Sequence, residues 1–151
     1  CMNQLTQILT PENTLLDVSA TSKKRAFEQA ALLFENNQGI ARSVVFDSLF
    51  SRERLGSTAL GHGVAVPHGR ISKLKQATAA FMRLATPIPF DSPDGQNVQL
   101  LIILLVPESA TQQHLEILAE VARILSNDTI RHQLLSENDP AKIYDLLTQS
   151  T

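Results

Sequence analysis

The sequence predicts an α/β protein, a three-layer α/β/α sandwich around a mixed β-sheet, in a single domain that covers residues 2–151. Residues 98–106 form an almost unbroken run of Leu, Ile and Val, which is typical of a strand buried on both faces of a sheet. Such a strand needs helices on both sides. The predicted elements follow the order strand, two helices, several strands and three helices. The even composition of the 151 residues suits one domain, since domains run to roughly 100–200 residues.

The first part of the chain predicts one strand and two helices. Residues 15–18 are a short apolar run before a Ser/Thr cluster, which favours a strand. Residues 22–36 carry apolar side chains at helical spacing. Gly39 follows as a residue that commonly ends a helix. Residues 40–52 repeat the helical pattern, so a second helix is predicted directly afterwards.

The segment from residue 55 to residue 70 is LGSTALGHGVAVPHGR, with four glycines and one proline. Residues 64–66 predict a short strand. Pro67 is expected to end it, because proline lacks the N–H that a central strand would donate. His68 would then leave a strand end, where α/β proteins often carry functional residues. On spacing alone, a tight structural turn with a solvent-facing His68 is the slightly better interpretation.

The second half predicts two strands separated by a loop, and then three helices. Residues 77–84 favour a strand. Residues 86–97 contain three prolines and favour a loop or hairpin connection. After the buried strand at 98–106, apolar spacing predicts helices over residues 110–125, 129–137 and 140–148. The third has Pro140 in its favoured first-turn position.

Composition and charge exclude several classes of protein. Thirteen basic and fifteen acidic residues leave a formal net charge of -2, whereas a generic nucleic-acid binder shows a clustered basic excess. Intrinsic disorder is excluded because 43% of the residues are hydrophobic. The most apolar run, residues 98–107, is half as long as the ~20 residues that a membrane helix needs. We therefore predict no nucleic-acid partner and no membrane span.

The N-terminus and the cysteine content predict a cytoplasmic protein. The first residues have neither the basic nor the apolar region of a secretory signal. The only cysteine is Cys1, which precedes Met2. A natural start at Met2 is the simplest interpretation, and Cys1 is then a residue added outside the natural protein. Without a second cysteine no intrachain disulfide is possible, which fits a reducing compartment.

The sequence lacks the common motifs of nucleotide, metal and hydrolase sites. The sequence has no G-x-x-x-x-G-K-[ST], no G-x-G-x-x-G opening a helix and no G-x-S-x-G. It also has no H-E-x-x-H or C-x-x-C. His62 and His68 would converge only if the loop folded back. We therefore expect no cofactor and no metal, and a histidine-based hydrolase would lack a nucleophile.

His114 and Arg52 are the other candidate site residues. His114 falls on the predicted apolar face of helix 110–125, which contains Leu115 and Leu118. Such a residue is usually a core histidine with one hydrogen bond, and the alternative is that it faces the same crevice as His68. Arg52 ends the second helix. Its guanidinium suits a phosphoryl or carboxylate group, but a solvated charge that complements the helix dipole is the commoner case.

Residues 53–69, ERLGSTALGHGVAVPHG, resemble the active-site signature of the IIA components of the bacterial phosphotransferase system, mannitol/fructose/nitrogen class. That pattern is an acidic or amide residue, six variable positions, an apolar residue, Gly, two variable positions and apolar-Ala-apolar-Pro-His-Gly. The positions that meet it are Glu53, Leu60, Gly61, Val64, Ala65, Val66, Pro67, His68 and Gly69. The resemblance covers nearly the whole chain and is strongest to the nitrogen-regulatory branch.

The resemblance implies a phosphohistidine carrier. His68 would be phosphorylated on Nε2 while a backbone carbonyl holds Nδ1, and Arg52 and His114 would support the phosphoryl group. The donor would be a small HPr-like phosphocarrier protein. The phosphorylation state would regulate target proteins, and the resemblance implies either potassium transport or its sensor, or nitrogen metabolism, as what is regulated. Exposed apolar residues are expected around His68, because docking of the two proteins must be small and transient.

Two alternatives remain open at the level of sequence. The first is a free-standing sugar-transport IIA component that donates phosphate to a IIB partner. The second is an interaction module that has the fold but never carries phosphate. The presence of Arg52, Pro67, His68 and His114 counts against the second. A neutral imidazole, with an ordinary pKa of about 6.5, is a competent nucleophile near pH 7.

Overall fold

The computed structural model describes residues 3–109 and 111–149, which form one mixed six-stranded sheet with helices on both sides. The strands are β1 (Thr14–Val18), β2 (Ala59–Gly61), β3 (Val64–Ala65), β4 (His68–Ile71), β5 (Thr78–Ile88) and β6 (Val98–Pro107). The helices are α1 (Leu5–Ile8), α2 (Lys23–Gln38), α3 (Arg42–Arg54), α4 (Thr111–Leu125), α5 (Asp128–Ser136) and α6 (Pro140–Thr148), with a 3₁₀ turn at Pro11–Asn13. None of the helices in these two ranges is long and apolar enough to cross a membrane.

The sheet order is β1-β5-β6-β3-β2, and β4 also pairs with β6. The central strand β6 runs antiparallel to β5 and parallel to β3 and β4. β1 is parallel to β5, and β2 is antiparallel to β3. The predicted mixed sheet is therefore confirmed.

The alternation of side chains along β6 builds two separate cores. Leu101, Ile103 and Leu105 pack with apolar residues of α2 and α3 on one face. Ile102 and Leu104 pack on the other face with residues of α1, α4, α5 and α6. All five side chains are almost fully buried. This arrangement confirms the strand buried on both faces and the three-layer sandwich.

The predicted helices are present, with small differences at their ends. Ser22 caps α2 by accepting a hydrogen bond from Arg25 N, and Gly39 ends the helix in the left-handed region with φ of 70°. α6 spans the predicted range. The start predicted at residue 110, the domain limits at residues 2 and 151, and Cys1 all lie outside the described residues.

Pro67 interrupts the strand as predicted, since β3 ends at Ala65, but a further strand that was not predicted, β4, begins directly after it. β3 and β4 pair with β6 in one continuous register, with Val64 opposite Leu100 and His68 opposite Leu104. Pro67 uses only its carbonyl toward β6, where it accepts a hydrogen bond from Leu104 N at 2.9 Å. The missing N–H is therefore not required on that side, and the chain resumes strand pairing at His68.

Two further expectations need correction. The predicted loop over residues 86–97 begins too early, because β5 continues through Ile88, which pairs with Val98. The predicted apolar face of α4 included Leu115, but that side chain is 62% exposed. The buried side of α4 instead runs through His114, Ile117 and Val121, since a step of one residue turns about 100° around a helix.

Candidate functional site

Two histidines meet where β4 begins and α4 starts. His68 is the first residue of β4, and His114 lies in the first turn of α4. Their ring centroids are 5.1 Å apart, and the ring planes are inclined by 67°. The functional alternative for His114, that it faces the same crevice as His68, is therefore the one that the geometry supports.

The imidazole of His68 is held by its own backbone. Nδ1 lies 2.8 Å from the carbonyl oxygen of Val66. A carbonyl oxygen can only accept, so Nδ1–H donates this hydrogen bond and Nε2 keeps its lone pair. Burial lowers the pKa of His68 and the charge of Arg52 acts in the same direction, against the opposing effects of the Val66 hydrogen bond and Glu53. The ring is therefore neutral at pH 7.

His114 is buried, with 8% of its surface exposed. Its Nε2 atom is fully enclosed and has no hydrogen-bond partner in the part of the chain that the structure describes, which is unusual for a buried polar atom. Burial lowers the pKa of His114, and repulsion by a protonated His68 lowers it further. Positive charge on Arg70 and Arg52 has the same effect. The usual core histidine would have a partner at this nitrogen.

Arg52 stands beside His68 in the last turn of α3. Its Nη1 donates to the carbonyl oxygen of Gly56 at 2.8 Å, and its charge lowers the pKa of both histidines. Arg52 and His68 line one cleft of about 360 Å³, whose other walls are Ser57, Thr58, Ala59, Leu60, Val66, Leu118, Ala119 and Ala122. All three residues singled out from the sequence are thus brought together at one edge of the sheet.

Close packing at Gly69 sets the distance between α3 and β4. A Cβ atom on Gly69 would overlap the hydroxyl of Ser48 and would lie 3.0 Å from the Ser48 carbonyl carbon. The Ser48 hydroxyl donates to the carbonyl oxygen of Arg70 at 2.8 Å. Because Arg52 lies one helical turn after Ser48, this contact holds Arg52 next to His68.

Glu53, a signature position without an assigned role, is buried with 6% of its surface exposed. Its carboxylate accepts hydrogen bonds from Thr58 N at 3.1 Å and from Thr58 Oγ1 at 2.7 Å. Lys23 Nζ lies 3.0 Å away and also stands over the ring of Phe90. Glu53 therefore ties the end of α3 to the turn that follows and to the start of α2.

Arg70 is a site residue that the sequence analysis missed. It follows His68 by two positions on β4, so the two side chains leave the same face of the strand. Its Nη1 lies 3.5 Å from the carbonyl oxygen of Glu108, shortly before α4. No strand was predicted after Pro67, so the period-two spacing of His68 and Arg70 gave no signal.

Exposed leucines occur on the cleft wall and in the segments that carry Arg52 and His114. Leu55, in the turn after Arg52, is 85% exposed, and Leu60, on the cleft wall, is 43% exposed. Leu115, next to His114, is 62% exposed. These are three of the five large apolar side chains that remain exposed in the described residues. An exposed apolar patch beside a reactive side chain is typical of a protein-docking surface.

His62 lies away from this site. It belongs to the turn between β2 and β3 and lines a different cavity together with His132. Its backbone N–H donates to Asp94 at 2.8 Å. Within residues 3–109 and 111–149, no three His, Cys, Asp or Glu side chains are grouped so that they could hold a metal ion.

A comparison with protein families defines the class to which this fold and site belong. Residues 7–150 match the family described as the phosphoenolpyruvate-dependent sugar phosphotransferase system, EIIA 2. The chain belongs to that family, whose members are phosphotransfer components of the system.

Within the family, the chain is similar to nitrogen regulatory proteins. It is 40% identical over 147 residues to the nitrogen regulatory protein of Pseudomonas aeruginosa, covering 97% of this chain and 96% of that protein. The crystal structure of nitrogen regulatory protein IIA-Ntr from Neisseria meningitidis superposes with a TM-score of 0.92 at 46% identity, covering 97% and 100% of the two chains. The mannitol IIA structure from Escherichia coli, at 19% identity and a TM-score of 0.77 over 92% and 98%, shares the fold. The resemblance to the nitrogen-regulatory branch is confirmed.

Proposed function

We propose that this protein is a phosphohistidine carrier of a nitrogen-type phosphotransferase relay. It accepts a phosphoryl group on His68 from a small HPr-like phosphocarrier protein, and its phosphorylation state regulates target proteins. The observation that carries the proposal is the 2.8 Å hydrogen bond from His68 Nδ1 to Val66 O. It leaves Nε2 as the nucleophile, beside Arg52 and His114.

The chemical step is an in-line transfer between two imidazoles. The lone pair of His68 Nε2 forms a new N–P bond while the N–P bond of the donor phosphohistidine breaks and its electron pair returns to the donor nitrogen. His68 keeps its Nδ1 proton, and the Val66 carbonyl dipole stabilises the positive charge that develops on the ring. Both ends of the transfer are phosphoramidates, so the step balances without a metal or a cofactor. Catalysis then depends on positioning and on electrostatic stabilisation.

Arg52 and His114 supply that stabilisation. Arg52 exchanges its contact with the Gly56 carbonyl for the phosphoryl oxygens, which a guanidinium binds in a planar fork. His114 Nε2, which has no partner among the described residues, donates to another oxygen. The N-terminus of α4 adds a partial positive charge, and Arg70 lies on the same side.

Docking and output both follow from this surface. Leu55, Leu60 and Leu115 provide apolar contacts for a small, transient complex with the phosphocarrier. Phosphorylation then places a charge of about -1.5 to -2 among them. A target that binds only one form has the differential affinity that a switch requires. Similarity to nitrogen regulatory proteins supports regulation over donation to a IIB partner. Potassium transport or its sensor stays a proposed target. A cytoplasmic location also stays a prediction.

The proposal is tested by phosphorylation in a reconstituted relay. The purified protein is incubated with phosphoenolpyruvate and the relay proteins, and its intact mass is recorded beside His68→Ala. We expect a gain of one phosphoryl group that is lost in mild acid and absent from His68→Ala. A phosphorylated His68→Ala variant, or a wild-type protein that no relay donor phosphorylates, contradicts the proposal.

A further inference from the structure

A chain of hydrogen bonds connects the buried Glu53 carboxylate to the imidazole of His68. Glu53 accepts from both the backbone N–H and the hydroxyl of Thr58. The carbonyl of Thr58 accepts from Val66 N at 3.0 Å. The carbonyl of Val66 accepts from His68 Nδ1 at 2.8 Å. Four residues thus link the end of α3 to the proposed nucleophile.

We infer that Glu53 is a positioning residue for His68, which acts through Thr58 and Val66. By holding Thr58 in place, Glu53 fixes the Val66 carbonyl. That carbonyl keeps the proton on Nδ1, so it determines which ring nitrogen of His68 is the nucleophile. The inference rests on the proposed function for its role in phosphoryl transfer, while the orientation of the ring is a property of the free protein.

The strands between Thr58 and Val66 need such an anchor. β2 has three residues and β3 has two, and their pairing shifts register between Ala59 and Gly61. β3 is held on its other side by β6, whereas the short β2, which ends at Gly61, specifies its register weakly. The bond from Val66 N to Thr58 O is therefore only as well placed as Thr58 itself.

Glu53 can provide this anchor because it is held rigidly. Only 3% of its side chain is exposed, and a buried carboxylate is retained where donors satisfy its oxygens. Oε1 accepts from the Thr58 hydroxyl, and Oε2 accepts from Thr58 N and from Lys23 Nζ. Thr58 is also buried, at 6% exposure. The two residues form one enclosed unit.

Substitution of Lys23 distinguishes two explanations for the role of Glu53. If Glu53 served only as an ionic link between α2 and α3, loss of Lys23 would have the same consequences as loss of Glu53. If Glu53 positions His68, the acceptor oxygens that face Thr58 matter, and the lysine contributes stability alone. Lys23→Met is therefore the matched control for Glu53→Met, with a second control, Ile143→Val, in the core on the opposite face of the sheet.

The experiment records ¹⁵N-imidazole spectra of the unphosphorylated protein above the pKa of His68, together with the rate of phosphorylation and the melting temperature. We expect wild-type His68 to be the Nδ1–H tautomer. Glu53→Met should give a mixture of tautomers and a phosphorylation rate lower by on the order of 10–100-fold. Glu53→Gln keeps an acceptor for Thr58 and should restore the tautomer and most of the rate. Both controls should lower the melting temperature while the tautomer and rate stay as in wild type.

The inference is overturned if Glu53→Met has the wild-type tautomer of His68 and the wild-type phosphorylation rate. It is also overturned if Lys23→Met changes the tautomer and lowers the rate as much as Glu53→Met does. If Glu53→Met does not fold, Thr58→Val decides: it keeps the side-chain shape and removes the hydroxyl donor, which leaves only the backbone bond to Glu53. We then expect a smaller shift of tautomer and rate in the same direction, and wild-type values overturn the inference. A wild-type protein that is never phosphorylated contradicts the proposed function alone. The tautomer comparison still judges the positioning role of Glu53.

Discussion

Gly69→Ala tests whether the contact between α3 and β4 sets the geometry of the site. The backbone of Gly69 lies outside the left-handed region, so it is space that requires glycine here. The added methyl group meets the Ser48 side chain, and such overpacking costs about 1–3 kcal/mol. Displacing the Ser48 hydroxyl from the Arg70 carbonyl costs about 1 kcal/mol more. Alanine also lowers the conformational entropy of the unfolded chain, which offsets about 0.5–1 kcal/mol of this loss in stability.

The expected net loss in free energy of unfolding is thus about 1–3 kcal/mol. For a domain of this size the melting temperature should fall by about 2–12 °C, which calorimetry measures. Phosphorylation of the folded protein should also slow, because a displaced α3 carries Arg52 away from His68. Combining Gly69→Ala with Ser48→Ala removes the atom that the methyl group meets first. The double variant should lose less free energy of unfolding than the sum of the losses in the two single variants. Strictly additive losses, or a wild-type melting temperature for Gly69→Ala, would refute the reasoning.

Four other outcomes are expected. Arg52→Ala should slow phosphorylation on the order of 100-fold while unfolding free energy changes by less than about 1 kcal/mol, and a large fall in melting temperature with an unchanged rate would make Arg52 structural. Because burial lowers the pKa of His68, the phosphorylation rate should stay level down to the ordinary value of about 6.5 and fall only at lower pH, and Arg52→Gln should move that fall upward. Burial lowers the pKa of both His68 and His114, so the unfolded chain binds protons at these residues at a higher pH than the folded chain does. The free energy of unfolding should therefore decrease as the pH drops below about 6.5. A phosphorylation rate that already falls above this pH contradicts a lowered pKa of His68. Leu55→Ser should raise the KM for the phosphocarrier and leave the melting temperature unchanged, because Leu55 is 85% exposed, and an unchanged KM would remove Leu55 from the docking surface.

The fold followed from local patterns wherever burial leaves a clear periodicity. The apolar run at residues 98–106 predicted β6, because a strand that is buried on both faces carries apolar residues at nearly every position. Gly39 predicted the end of α2 because the left-handed conformation favours glycine. Pro67 predicted the break after β3 but not the strand that resumes at His68, because the loss of one N–H matters only when a neighbouring strand needs that donor. At β6 the neighbouring strand needs only the carbonyl.

The candidate site was predictable to a similar extent. His68, Arg52 and His114 were recognised from residue types and from the family signature, and the structure brings them together. Glu53 had no predicted role, because its partners Thr58 and Lys23 come from separate elements. Arg70 had no predicted role, because its position beside His68 depends on β4, and no strand was predicted after Pro67.

From the order of its residues alone, the chain revealed its class of fold, its helices and the histidine that the family signature marks, because these depend on neighbours a few residues apart. The folded chain alone reveals that His114 faces His68 with a buried nitrogen that has no partner within residues 3–109 and 111–149, and that Gly69 holds α3 against β4. It alone reveals the connection from Glu53 to the His68 imidazole. These features are contacts between distant segments, and they arise only when strand pairing and helix packing bring those segments together.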